Sequence, residues 1–396
     1  MKTLSWTILI FALAVGLVLA IQSNVGYVQL IYPPYRIDFS LNFLIILILA
    51  AFLATYILIR IAVHTLRLPG YVRSFKETRR KEKGRRATED AFIAFAEGRF
   101  ARAERLSQRA LLLNDAPAIN ALLAARAAQE QRAFGRRDEY LSRAEKIAPQ
   151  QAIARLMTQA DLLIETRQAQ EAMPVLQALK ALAGKHVGVL RLELKAQQLA
   201  KNWEQVLLIL PQLEKRDGIE AVQAEQIRIH AHIENIKRKA HQAEALQDYW
   251  SKLSSPEKAN SKIALCAARY FHALGGVKEA REILEGSLAK HWDSDLVELY
   301  GQCVDKDTVK QIERAENWLK EHPRDPYLLL ALGRLCARQE LWGKAQSYVE
   351  ASLSLEKTRA AHLVLAQLLE KMNKSDEACN HYRQSLALES AGLSLH

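Results

Sequence analysis

Glycine and proline are scarce, 16 and 10 in 396 residues. That shortage excludes collagen-like and low-complexity chains, and it argues against a fold dense in hairpins and tight turns. Cysteine is scarcer still. Cys266, Cys303, Cys336 and Cys379 are spread widely along the C-terminal part of the chain. No CxxC and no zinc-ligand spacing occurs, so the four thiols read as small core hydrophobes rather than a redox pair or a metal module. Also missing are GxGxxG, the P-loop, HExxH and GxSxG. Of the eleven histidines only His230 and His232 are close, and two residues apart on a helix they point to different faces. The carboxylates form no readable acid–base arrangement. No catalytic residue and no metal site is expected, and the expectation is of a protein that is not an enzyme.

Charge is present in quantity, but it is localised. The formal net charge is +11. Residues 60–86 hold ten Lys and Arg against Glu77 and Glu82, which is +8. Residues 1–59 add +1, from Lys2 and Arg36 less Asp38, and the rest of the chain adds +2. A nucleic-acid partner is therefore not expected.

Two apolar runs frame this basic segment. Leu4–Ile21 is uncharged over 18 residues, about 27 Å as a helix and just enough for the hydrocarbon core. Leu41–Ile59 is a second run with Asn42 and Thr55 as its most polar members. The reading is a two-span hairpin over residues 1–65, with spans at about 4–21 and 41–63 and a loop at 22–40. The loop carries only Arg36 and Asp38, so the positive-inside rule puts the basic flank and everything after it in the cytoplasm. Tyr27, Tyr32 and Tyr35 suit the water–lipid interface. The basic juxtamembrane segment, 66–86, is first a topology determinant. It is also expected to meet anionic headgroups through Arg73, Lys76, Arg79, Arg80, Lys81, Lys83, Arg85 and Arg86.

From residue 87 to about 390, ahead of a tail at 391–396, the pattern becomes one of helix pairs recurring about every 34 residues. Ala, Leu, Gln, Glu, Lys and Arg dominate there, and these are good helix formers. The clearest unit is Pro326–Lys357. Leu329, Leu332, Gly333 and Cys336 share one face of a first helix, Ala345, Val349 and Ser352 face it from a second, and Trp342-Gly343 reads as the turn. Small residues fall where helices must approach closely, which is the tetratricopeptide pattern. Further packing positions are Gly98, Ala103, Ala110, Ala144, Ala172, Ala280 and Ala378, and the tryptophans read as packing residues. The steps from Ala103 to Arg137, from Ala172 to Val206 and from Ala345 to Ala378 each match the tetratricopeptide period of about 34 residues. Seven or eight repeats are expected, with degenerate stretches near 214–262 and 290–325. The fold class is all-α: a transmembrane hairpin followed by a tetratricopeptide-repeat solenoid. Such arrays bind partners along a groove and do no chemistry of their own.

The loop ending PPYRIDFSL, the segment EGRFARAERL and the block DPYLLLALGRLCARQELWGKAQSYVEASLSL together resemble the HemY family of proteobacteria, over essentially the whole chain. The resemblance implies a multi-pass bacterial inner-membrane protein linked to the late steps of haem (protohaem) biosynthesis, and it brings no catalytic residue with it. A flavin-dependent protoporphyrinogen oxidase shares the family's name, but that enzyme needs an N-terminal GxGxxG that this chain lacks. The first expectation is an interaction scaffold whose partners are late haem-biosynthesis enzymes and the bilayer; nothing in the sequence fixes an oligomeric state. The second is direct haem or porphyrin binding as a carrier or sensor, with haem as the candidate cofactor and His64 and Tyr71 at the membrane exit as its candidate ligands. The third is a tetratricopeptide adaptor for envelope assembly, similar to lipopolysaccharide-assembly proteins that end in a rubredoxin-like domain with paired CxxC motifs. This chain ends SLALESAGLSLH instead.

Overall fold

The computed structural model describes residue 15, residues 26–304 and residues 307–393, with 63–74 and 389–393 described as backbone only. The span expected at 4–21 therefore lies outside the described residues apart from Val15, as does the tip of the tail. The chain divides into two compact units between Pro149 and Gln150.

In the first unit, strands β1 (Tyr27–Tyr32) and β2 (Tyr35–Ser40) form an antiparallel hairpin around a cis Pro33–Pro34 turn, with Tyr27 opposite Ser40 and Tyr32 opposite Tyr35. The Ser40 hydroxyl accepts the Phe43 N–H and starts helix α1 (Leu41–Ala96). Its first part, Leu41–Ala62, has a mean hydropathy of 2.6 and none of it is buried by protein. It is the one helix among the described residues long and apolar enough to cross a membrane. The same helix then runs on through the basic segment, which is not a separate element. Gly84, Ala87, Ala91 and Ala94 recur at helical spacing, are all buried, and α1 packs there against α2 (Phe100–Leu112). Helices α3 (Pro117–Glu130) and α4 (Phe134–Ile147) make the next pair. The repeat region thus begins a turn or more before residue 87.

In the second unit the pairs are α5 (Ala152–Glu165) with α6 (Ala169–Ala183), α7 (Val187–Leu199) with α8 (Trp203–Glu214), and α9 (Ala221–Lys239) with α10 (Ala243–Lys252). A single short turn, α11 (Ser255–Ala259), leads to α12 (Ser261–Ala273) with α13 (Val277–Leu288). Then come α14 (Ser294–Tyr300) with α15 (Thr308–Glu321), α16 (Pro326–Arg338) with α17 (Trp342–Leu355), and α18 (Arg359–Lys371) with α19 (Ser375–Leu393). Two pairs in the first unit and seven in the second make nine among the described residues. The architecture is all-α and of tetratricopeptide type. The stretches that looked degenerate each hide a pair, one stretched by the 19-residue α9 and one shortened by the seven-residue α14.

One geometry repeats. The fourth residue of nearly every second helix is buried: Ala103, Arg137, Ala172, Val206, Leu246, Ala280, Gln311, Ala345 and Ala378. Five residues before seven of these, the backbone is left-handed, at Gly98, Arg132, Arg167, Lys201, Gly275, Glu340 and Asn373. In each case the next N–H reaches back to the carbonyl five residues earlier, as from Arg99 to Ala94 (2.8 Å) and from Leu341 to Cys336 (2.9 Å). That bond satisfies a carbonyl the ending helix leaves free. The turn of the clearest repeat is therefore centred on Glu340. Trp342 opens α17, half-buried against the core, and Gly343 is exposed, with nothing within 4 Å of an added Cβ. Gly98 serves as a turn residue rather than as packing.

Close approach is enforced inside the pairs. A Cβ added to Gly333 would drive into Val349 Cγ2 and crowd the Ala345 carbonyl. Seven residues after the fourth position, Ser287 and Ser352 are buried and donate to the Ala259 and Pro326 carbonyls at 3.1 and 2.7 Å, stapling α13 to the end of α11 and α17 to the start of α16. The Asp325 carboxylate caps α16 by accepting from Tyr327 and Leu328 N–H, and its other oxygen accepts from Trp292 Nε1 (2.9 Å) and Ser294 Oγ (2.8 Å) at the head of the preceding pair. Trp250, Trp292, Trp318 and Trp342 pack against one core and Trp203 against another.

Two substitutions measure these constraints in the full chain in detergent. Gly333→Ala should lower stability by about 1–3 kcal/mol, the usual cost of overpacking a filled contact. Glu340→Gly should raise it by about 0.5–1 kcal/mol, because glycine removes the penalty of a side chain in the left-handed region. Thermal melts followed by circular dichroism decide both. A neutral Gly333→Ala would mean that α16 and α17 are not held in contact there.

Candidate functional site

The basic segment is partly consumed by folding. Arg80 Nη2 donates to the Leu112 carbonyl at 3.1 Å, where the negative end of α2 favours a cation. Gly84 is buried because Asp115 lies against it, 2.7 Å from an added Cβ. Asp115 in turn accepts from Thr88 Oγ1, which accepts from Asn120 Nδ2 (2.7 and 2.8 Å). Lys76, Arg79, Lys81, Lys83, Arg85 and Arg86 are exposed. Arg79 lies over the Phe75 ring, and Arg85 pairs with Glu89 at 3.4 Å. The side chains of His64, Tyr71 and Arg73 lie outside the described residues, so the two candidate haem ligands have no described geometry.

In the second unit a cavity of about 550 Å³ opens between α16 and α18. Arg334, Ala337 and Arg338 line it from α16, and Val364, Leu368 and Lys371 from α18. Trp342 and the rim acids Glu340 and Glu370 complete it, with Val304 beside α15. Burial holds the Arg334 guanidinium below its ordinary range, partly offset by Glu298. Its contacts are long, 3.4 Å to the Glu298 carbonyl and 3.7 Å to that residue's carboxylate.

Other polar clusters are internal. His232 is buried, with Nδ1 2.9 Å from the Tyr249 hydroxyl and Nε2 3.2 Å from Glu257, whose other oxygen accepts the Ser254 N–H. His230 points elsewhere, edge-on to Trp203. The His362 and His381 rings stack, their Nδ1 atoms 3.0 Å apart, with His362 buried. Burial pushes the Cys303 thiol up to about 12 and the Cys336 thiol to about 11, so neither is a thiolate near neutrality. Among the described residues no three His, Cys, Asp or Glu side chains gather into a metal-holding group.

The family profile described as HemY protein N-terminus matches residues 26–132, from the hairpin through the span to the end of α3. Two curated proteins named HemY, from Escherichia coli strain K12 and from Shigella flexneri, are each 24% identical over 388 residues, covering 97% of this chain and 97% of their own. The similarity, running over nearly the whole length of both chains, supports a place in the HemY family. Among solved structures it is similar to the Cut9–Hcn1 hetero-tetramer of the APC/C, at 14% identity, 75% and 64% coverage of this chain and that one, and a TM-score of 0.32. It is similar also to MamA, at 15% identity, 40% and 95% coverage, and a TM-score of 0.31.

The similarity to the HemY proteins thus runs over the apolar part of α1, the turns and the cavity alike. Sequence reasoning missed the cavity. Its signal was a spacing, since Val304, Arg338 and Lys371 follow one another at the repeat period, one per repeat.

The buried histidines make stability pH-dependent. Burial lowers the affinity of His362 for protons, with His381 and Lys357 adding to the effect, and burial likewise lowers that of His232. Unfolded histidine protonates near pH 6.5, so the unfolded chain gains protons first as pH falls. Their contribution to stability is then fully present above about pH 6.5 and is lost as the pH falls below it. Amide exchange across α18 and α19, corrected for its intrinsic pH dependence, should lose protection between pH 7.5 and 5.5. His362→Leu should flatten that loss. Equal protection at both pH values in the wild type would refute the linkage.

Proposed function

We propose that this chain is a membrane-anchored scaffold whose helical repeats bind partner proteins in the late steps of haem (protohaem) biosynthesis. The observation that carries the reading is α1. One helix is lipid-compatible over Leu41–Ala62 and is, at its other end, the first helix of the first repeat pair. An anchor and a binding module are thus built into one element. The HemY family supplies the pathway, and the absence of a catalytic motif from the sequence favours binding over turnover.

In this reading the anchor is a two-span hairpin in the bacterial inner membrane, formed by residues 4–21 and 41–63. Tyr27, Tyr32 and Tyr35 of the β-hairpin, all exposed, sit at the water–lipid interface. The +8 segment holds the repeats on the cytoplasmic side, and its cations nearest the span meet anionic headgroups. Tethering raises the effective concentration of enzymes that share one anchor, into the mM range for short linkers. A poorly soluble porphyrin is then handed over between neighbours instead of released.

Crosslinking in membranes followed by purification of the tagged full chain tests the proposal. At least one enzyme of terminal haem synthesis should be recovered well above an unrelated tagged membrane protein, and Gly333→Asp, which forces α16 and α17 apart, should reduce that recovery. Recovery no better than the control would refute it.

A further inference from the structure

The cavity between α16 and α18 combines features that packing alone does not require. Arg334 and Arg338 are one helical turn apart and share a face, and so do Val364, Leu368 and Lys371. The repeat period aligns Val304, just beyond α14, with Arg338 and Lys371, the last residues of α16 and α18. Arg334 keeps only 19% of its side chain exposed, yet its contacts to Glu298, at 3.4 and 3.7 Å, are longer than well-formed hydrogen bonds. A guanidinium offers five donors in a planar fork, so among the described residues most of this fork is unspent. Arg338 and Lys371 have no ion-pair partner among the described residues. Of the two rim acids, Glu370 accepts from the Tyr382 hydroxyl, 2.9 Å away, and Glu340 is fixed as the left-handed turn residue. Apolar surface from Ala337, Trp342, Val364 and Leu368 lies beside the cations. A second cavity of about 530 Å³ shares Val304 and Arg338 and adds Val277, Lys278 and Glu279.

We propose that this groove binds an acidic, extended peptide segment of a partner protein. A side-chain carboxylate of that segment engages the Arg334 fork, a second meets Arg338 and Lys371, and an apolar side chain between them packs on Trp342 and Val364. The inference rests on the scaffold reading and names the partner chemistry for one site in it. A planar fork prefers a carboxylate because two parallel N–H···O bonds form at once, and partial burial strengthens them. The flanking apolar surface selects a peptide over a free small anion. An extended segment fits because successive side chains point to opposite sides, so alternate residues face the groove.

The test is fluorescence anisotropy of labelled, end-blocked decapeptides of alternating Glu and Leu, against Gln–Leu and Lys–Leu controls, with the full chain in non-ionic detergent. The Glu–Leu peptide should bind at least about tenfold more tightly than the Gln–Leu peptide, and added salt should weaken it. Arg338→Glu and Lys371→Glu, both at exposed positions and therefore compatible with folding, should each reduce binding about tenfold or more. Arg334→Lys keeps the charge but not the fork and should also weaken binding, while Arg79→Glu with Lys83→Glu in the basic segment should leave it unchanged. Melting curves of all variants establish that they fold. Equal binding of the Glu–Leu and Gln–Leu peptides, indifference to Arg338→Glu and Lys371→Glu, or loss of binding in the Arg79 and Lys83 variant would each overturn the proposal. Those failures are distinct from failure of the scaffold reading, because wild-type recovery of haem-pathway enzymes by crosslinking does not depend on which peptide enters this groove.

Discussion

Two paired helices approach only as closely as the side chains between them allow, and seven of the nine pairs here are set by one turn and one buried position. The left-handed residue five places before that position reverses the chain, and the bond that follows it closes the ended helix. The buried residue, most often alanine, then lets the second helix lie against the first. Gly333 facing Val349 and Ala345 shows how little room remains. Because each pair buries its outer face only on its neighbours, an error at one such contact is felt by the pairs on either side. Stability, the groove and the placement of its cations all follow from this local geometry.

Where the buried position holds something larger than alanine, the chain compensates. Arg137 takes the place in α4 and is buried, but its guanidinium reaches Asp138 at 2.7 Å and Gln129 at 3.1 Å and lies over the Phe134 ring. Gln311 takes it in α15, and its amide donates to the Cys303 carbonyl at 2.8 Å. A buried polar group costs little when its partners are in reach and much when they are not. Both repeats therefore survive a departure from the pattern that a sequence comparison would score against them.

The same departures explain what could be read in advance. Alanine recurring at the repeat period made the pairs visible wherever the pattern holds, from Ala103 to Ala378. It failed near Leu246 and Gln311, where the fourth position is not small. The turn of the clearest repeat was expected at Trp342-Gly343, inside the pattern of small and aromatic residues. The chain instead uses Glu340 there, and Arg132, Arg167 and Lys201 elsewhere, residues whose identity carries no turn signal. In the basic segment charge hid packing: Gly84 and Ala87 flank Arg85 and Arg86, so this part of the first repeat helix read only as a basic juxtamembrane segment. The groove was less legible still, since Arg334, Arg338 and Lys371 are ordinary cations until the repeat period brings two helices side by side.

The uneven distribution of charge bears on how an anchored array stays available. With +8 in residues 60–86 and only +2 after residue 86, the repeats carry almost no net attraction for an anionic surface. Attraction between exposed charges also fades within about 8 Å at physiological ionic strength, so the basic segment does not draw distant repeats onto lipid. Recognition in the array must then come from local clusters, where a few cations are held together and partly desolvated. Arg334 meets that condition: its burial raises the cost of leaving the fork unpaired and so raises the gain when a carboxylate arrives. A chain that is strongly basic over one stretch of a long helix and nearly neutral elsewhere keeps location and recognition as separate properties, each adjustable without disturbing the other.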